Sequence, residues 1–213
     1  IEEPIEDEYY DYDRNFYFKH KKEWCGLLPM SLKTSVYCFF LANVVRDLRG
    51  DILEPRTMMI NISRFVKVQR FVKGVIETLF NEVYHEIKTN FSDKIEHNKS
   101  LPLFIELKEC WDKYYSKIEI DWIEILKKDN LVAAMENIEV LVINSGKNSG
   151  KLDYEKNPHL RAIAVGGLAL SRGLTLEGLL VSYFYRNTST YDVLMQMGRW
   201  FGYRKNYEDL FRI

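Results

Sequence analysis

The sequence predicts an α/β fold: a mostly parallel sheet with helices on both faces and a helical insertion. Three observations carry that prediction. Four short apolar runs, at 57–63, 139–144, 161–167 and 179–186, have the length and bounded ends of buried strands. Helical or loop stretches separate them, as crossover connections between parallel strands require. No self-similarity at solenoid spacing competes with this reading.

In chain order, residues 1–27 read as an acidic N-terminal segment or linker, with seven Asp or Glu and three Tyr within the first thirteen positions and no periodicity. A single domain is expected over 28–213. It begins with "LPMSLKTSVYCFFLANVVRDLRG", which starts at Pro29 and Ser31, is apolar at Leu32, Val36, Phe39, Phe40, Val44 and Leu48, and stops at Gly50. Those are the start, stripe and stop of a helix buried on a broad face. "TMMINIS" is the first strand. Val68, Val72, Val75, Leu79, Val83 and Ile87 then recur at helical spacing, giving strand, tight turn and long amphipathic helix. The polar stretch 90–100 reads as loop and 101–137 as helical, so about 90–137 is taken as the insertion. "EVLVIN", "RAIAVGG" and "LLVSYFYR" supply the other strands, with "SGKNSGK" as a loop after the first of them.

Composition limits function. Thirty Lys and Arg stand against 31 Asp and Glu, so a polyanion would have to be met by a local patch and not by the average field. Cys25, Cys38 and Cys110 are far apart in the chain and from His20, His85, His97 and His159, so neither a disulfide framework nor a metal site is expected, and a reducing cytoplasm fits best. No apolar run reaches the roughly eighteen residues of a membrane span. The chain lacks an initial Met and ends soon after its richest motif, which reads as a piece of a longer protein. A phosphate-cradling P-loop is also missing: in "SGKNSGKL", Ser145 stands where the first Gly is needed and Leu152 where the hydroxyl is needed. The chain alone is not expected to hydrolyse ATP.

Two motifs carry the chemistry. "SRGLTLEG" (171–178) and "QMGRWFGYR" (196–204) place arginines beside glycines around one apolar run. The stretch "AIAVGGLALSRGLTLEGLLVSYFYRNTSTYDVLMQMGRWFGYR" resembles motifs V and VI of the superfamily 2 helicases, in the second of their two RecA-like domains. The resemblance implies that Arg199 and Arg204 act as arginine fingers on ATP, where a guanidinium stabilises charge on the transferring phosphoryl group. Arg172 would brace them or a phosphate, with Gly173 and Gly198 letting backbone approach the nucleotide. Motif V departs from the helicase pattern at Gly167, Leu168 and Thr175, which sets the chain apart from ordinary unwinding enzymes.

"LPMSLKTSVYCFFL", "RDLRG", "MMINISR" with Gln69, "GGLALSRGLTLEGL" and "MGRWFGYR" together are similar to a narrower group, the Z-one domain family, associated with restriction and phage-defence systems and with a suspected endonuclease activity. This implies a RecA-like, helicase C-terminal-like domain, with ATP and Mg²⁺ shared with a missing N-terminal RecA-like half and a DNA-cleaving partner or domain. Two alternatives stay open: a non-catalytic scaffold that docks a nuclease, and a nuclease in its own right. For the last, Glu106-Leu107-Lys108 and Glu86-Ile87-Lys88 have the right residue types but sit in helical stretches with no Pro-Asp before them. For DNA contact, Ser63 and Arg64 stand where the first strand enters its helix, and Lys67 and Arg70 follow on that helix. Ser63 reads equally as an ordinary N-cap, and the cations as solvated.

Overall fold

The computed structural model describes residues 28–144, 149–167, 170, 175–185 and 207–213. In order they form α1 (Met30–Leu48), β1 (Arg56–Asn61), α2 (Val66–Asn90), α3 (Ile95–Asn98), α4 (Pro102–Tyr114), α5 (Trp122–Ile125), α6 (Lys128–Met135), β2 (Ile138–Ile143), β3 (Arg161–Gly166) and β4 (Leu179–Phe184), followed by a 3-10 turn at Glu208–Leu210. The strands pair in parallel in the order β2-β3-β1-β4. This is an α/β fold of the RecA-like type, and all four expected strands are present within two residues of their expected ends. Ile62 and Ser63, expected to end the first strand, belong to the turn after it.

The sheet is buried because its strands are apolar on successive residues, and every residue of central β1 is buried. The register sets Met58 beside Ile163 and Ile163 beside Val140. The pleat then divides the core in two. Met58 and Ile60 join Ile163, Val165 and the helices in the larger cluster. Met59 points the other way, into a smaller cluster with Ala164, Leu170, Leu176 and Leu179, against which Leu152 and Phe211 pack.

α1 is buried continuously from Val36 to Arg46. A helix buried on every side needs cover on every side: β4 meets it from the sheet, while α4 and α6 meet it from behind. The helical insertion is therefore the third layer of the domain. Leu107, Trp111, Leu131 and Met135 share one cluster with Phe39 and Phe40, and full burial of each such side chain contributes about 1.5–3 kcal/mol. Within 90–100, expected to be loop, α3 forms one helical turn. Buried Asn98 makes it possible by accepting the Ser92 N–H at 2.7 Å and donating to the Ser92 carbonyl at 2.9 Å. Ser31, read as part of the α1 start, instead bonds the Tyr183 hydroxyl at 3.0 Å, and Pro29 holds the cap position. Gly50 ends the helix with φ of 77°, as its lack of a Cβ allows.

The amino edge of the sheet holds a buried charge network. Arg56 is fully buried and donates to the Asp47 carboxylate at 2.6 Å, to the Asn43 carbonyl at 2.9 Å and to the Asp51 carbonyl. Its register partner Arg161 reaches the same Asp47 oxygen at 3.1 Å and the carbonyls of Ala133 and Ala134. Arg46 pairs with Asp51 through Nε at 2.6 Å, donates to the Pro55 carbonyl, and lies over the Tyr207 ring. Burial pulls both Arg46 and Arg161 below the ordinary arginine value. The network ties the end of α1, the start of β1 and β3, and the end of α6 together. Cys38 of α1 and Cys110 of α4, 72 positions apart, also meet with a sulfur separation of 3.4 Å. Both are buried free thiols, and the hydrogen bond to Cys38 together with burial drives the Cys110 thiol far up.

Candidate nucleic-acid interface

β1 and β3 are neighbours whose onward connections leave in opposite directions. The chain after β1 crosses over β3 to reach β2, and the chain after β3 crosses over β1 to reach β4. In open parallel sheets such a switch point opens a crevice at the carboxyl ends of the strands, where ligands bind. Here those ends are Asn61, with the turn Ile62–Phe65, and Gly166–Gly167.

The turn is held from three sides. Ile62 N–H extends the β1–β3 ladder by donating to the Gly166 carbonyl at 3.1 Å. Ser63 Oγ accepts the Phe65 N–H at 3.1 Å, and Gln69, buried in the first turn of α2, donates to the Ser63 carbonyl at 2.8 Å. Gly167 closes the third side, because a Cβ there would overlap the Ser63 carbonyl oxygen. Gly166 is equally confined, between the Ile143 carbonyl and the Leu170 side chain. Close backbone contact at this edge thus explains the Gly-Gly pair.

Ser63 is not the N-cap of α2. Phe65 occupies that position with extended backbone and no side-chain cap, so the Ser63 hydroxyl closes a two-residue turn ahead of the helix. Its Oγ is used as an acceptor and its proton remains to be donated. Arg64 is exposed, with its guanidinium 5.0 Å from the Phe65 ring. Lys67 and Arg70 are exposed one turn apart on α2. From position 55 to 76 the chain has no Asp or Glu. The structure therefore gathers three exposed cations at the N-terminal end of α2, an arrangement suited to phosphate oxygens. Gln69 is named in the sequence only as part of a resemblance. Its role in fixing the Ser63 carbonyl follows from its burial, which a polar residue between Val68 and Val72 does not announce.

Arg172, Gly173, Gly198, Arg199 and Arg204 lie outside the described residues. The chain sets out toward Arg172 from the described edge: Leu170 N–H donates to the Gly167 carbonyl at 3.0 Å and its side chain is buried. The two carboxylate-lysine triplets lie on helices. Glu106, on α4, accepts from Tyr37 at 2.8 Å and from Lys33, and Lys108 pairs with Asp112 at 2.6 Å. Glu86 and Lys88 lie on α2. Among the described residues no group of three or more His, Cys, Asp or Glu could hold a metal ion, and no described helix is long and apolar enough to cross a membrane.

A family model described as the Z1 domain matches residues 31–213. No curated protein and no solved structure gives a significant match.

Proposed function

Because the chain belongs to the Z1 domain family, the Z-one family of the sequence resemblance, we propose that it is the helicase C-terminal-like half of a DNA-dependent ATPase that works with a restriction or defence endonuclease in the cytoplasm. The observation that supports this reading most is the carboxyl edge of β1 and β3. There the Ser63–Arg64 turn is pressed against Gly167, the root of the segment that runs to Arg172.

On this reading Arg199 and Arg204 reach toward an ATP bound mainly by an N-terminal RecA-like half, and Arg172 steadies them. Guanidinium groups suit the task because they stay charged and donate to phosphate oxygens in a fixed fork. Magnesium would neutralise phosphate charge when bound, and on this reading it is held mainly by the N-terminal half. The chain's own share at the described edge is to hold DNA phosphates with the Ser63 hydroxyl, Arg64, Lys67 and Arg70.

The test is ATP turnover by the full-length protein with and without duplex DNA, for wild type and Arg199→Ala. The reading requires DNA-stimulated turnover that the substitution reduces by about a thousandfold or more, the range arginine fingers supply. Turnover indifferent to Arg199 would leave a scaffold role, and Mg²⁺-dependent cleavage by residues 28–213 alone would make the chain the nuclease.

A further inference from the structure

We propose that a DNA strand lays its phosphate backbone along the exposed face of α2 from Arg64 to Gly74, and that Gly74 is the point of closest approach. The proposal rests on the DNA-binding reading above and extends it by about one helical turn, from Arg70 to Gly74. α2 buries Val68, Gln69, Val72 and Ile76 and turns Lys67, Arg70, Gly74 and Thr78 to solvent, in positions three and four apart that share one face. Among the described residues, Arg70 has no carboxylate partner.

Gly74 is the observation that needs an explanation. Glycine inside a helix is unfavourable relative to alanine, because it orders the most flexible backbone and adds no contact. Two internal reasons for keeping it are lacking. Its backbone is helical, not left-handed, and a Cβ built there meets nothing within 4 Å. What a bare helix surface does offer is room for another molecule to come close to the backbone. The charge around it defines that molecule: Arg64 and Arg70, both exposed in a stretch with no acid from 55 to 76, call for an anion. The first acid, Glu77, pairs with Lys73 at 3.4 Å and closes the basic stretch just beyond Gly74. Lys67 and Gly74 are about 10 Å apart along the axis, long enough for a strand to lay more than one phosphate along the face.

The experiment is fluorescence anisotropy of labelled duplex and single-stranded DNA with the full-length protein, from about 50 to 200 mM salt, for wild type, Arg64→Ala, Arg70→Ala, Gly74→Ala and Gly74→Glu. Thermal denaturation is run alongside. Gly74→Ala should raise the melting temperature, which removes misfolding as an explanation, and weaken DNA binding about threefold; Gly74→Glu should weaken it at least tenfold. Arg70→Ala should lower the slope of log affinity against log salt by about one. If Arg64→Ala weakens binding while both Gly74 variants bind as wild type, the α2 track is wrong and the DNA-binding turn stands. If every variant, Arg64→Ala included, binds as wild type, the track and the reading beneath it both fall.

Discussion

Removing the carboxylate of Asp47 should be among the most damaging single changes outside the site. One oxygen of Asp47 accepts from both Arg56, at 2.6 Å, and Arg161, at 3.1 Å. Asp47→Ala leaves Arg56 and Arg161 with backbone carbonyls and no described carboxylate, since Asp51 pairs with Arg46, and the side chain of Arg56 has no exposure through which water could replace the lost partner. Arginine does not escape by losing its proton, so the charge stays buried. Breaking a buried pair from one side costs about 3–5 kcal/mol. For a domain of this size that is a fall in melting temperature of roughly 6–20 °C. Asp47→Asn, which keeps an acceptor oxygen and loses the charge, should fall between the two. Urea denaturation followed by tryptophan fluorescence gives the free energies directly. A loss below about 1 kcal/mol for Asp47→Ala would refute the reasoning, because it would mean that carbonyls alone satisfy Arg56 and Arg161.

Two further outcomes follow from the same structure. Arg49 donates to both oxygens of Asp209 at 2.9 and 2.6 Å, and this pairing holds the Asp209 carboxyl below the usual range. A depressed carboxylate stabilises the fold above its unfolded value near pH 4 and ceases to do so as acid titrates it. The Asp209 side chain is 47% exposed, so Arg49→Ala should cost under about 1 kcal/mol at pH 7, and the difference from wild type should shrink as pH falls below about 4 and in high salt. Denaturation curves at pH 7 and pH 3 check it. Gly167→Ala forces a methyl against the Ser63 carbonyl and should destabilise by about 1–3 kcal/mol while weakening DNA binding, measured by melting and anisotropy; unchanged binding would separate Ser63 from the interface.

The sheet was legible because its signal is local: three or four consecutive apolar residues between polar or glycine breaks mark a buried strand wherever it pairs. What pairs with what was not. Nothing in "RDLRG" or "RAIAVGG" says that Arg46, Arg56 and Arg161 converge on two aspartates, since convergence depends on the parallel register that sets Arg56 opposite Arg161. Cys38 and Cys110 look unrelated in sequence and touch only because α4 packs on α1. At the candidate interface, the exposure of Arg64, Lys67 and Arg70 was readable from charge and helical spacing. Ser63 was placed correctly and its role was not, because hydrophobic spacing fixes a helix start only to within a residue or two and the cap falls at Phe65. Gly167 was visible as a departure from a motif, and its reason, contact with the Ser63 carbonyl, lies in a turn a hundred positions earlier.

The third helical layer has a consequence for the birth of the protein. α1 is made before the sheet it lies on and before α4 and α6, the helices that close over its back. Met135 is translated roughly 90 residues after the end of α1. At about 5–20 residues per second, a helix apolar around most of its circumference waits for about 5–18 seconds with no native cover. The nascent chain is thus a substrate for chaperones that recognise exposed apolar helices. Ribosome-bound chains halted before residue 102 should remain protease-sensitive across 30–48, and chains that have released residue 184, with α4, α6 and β4 all available, should not.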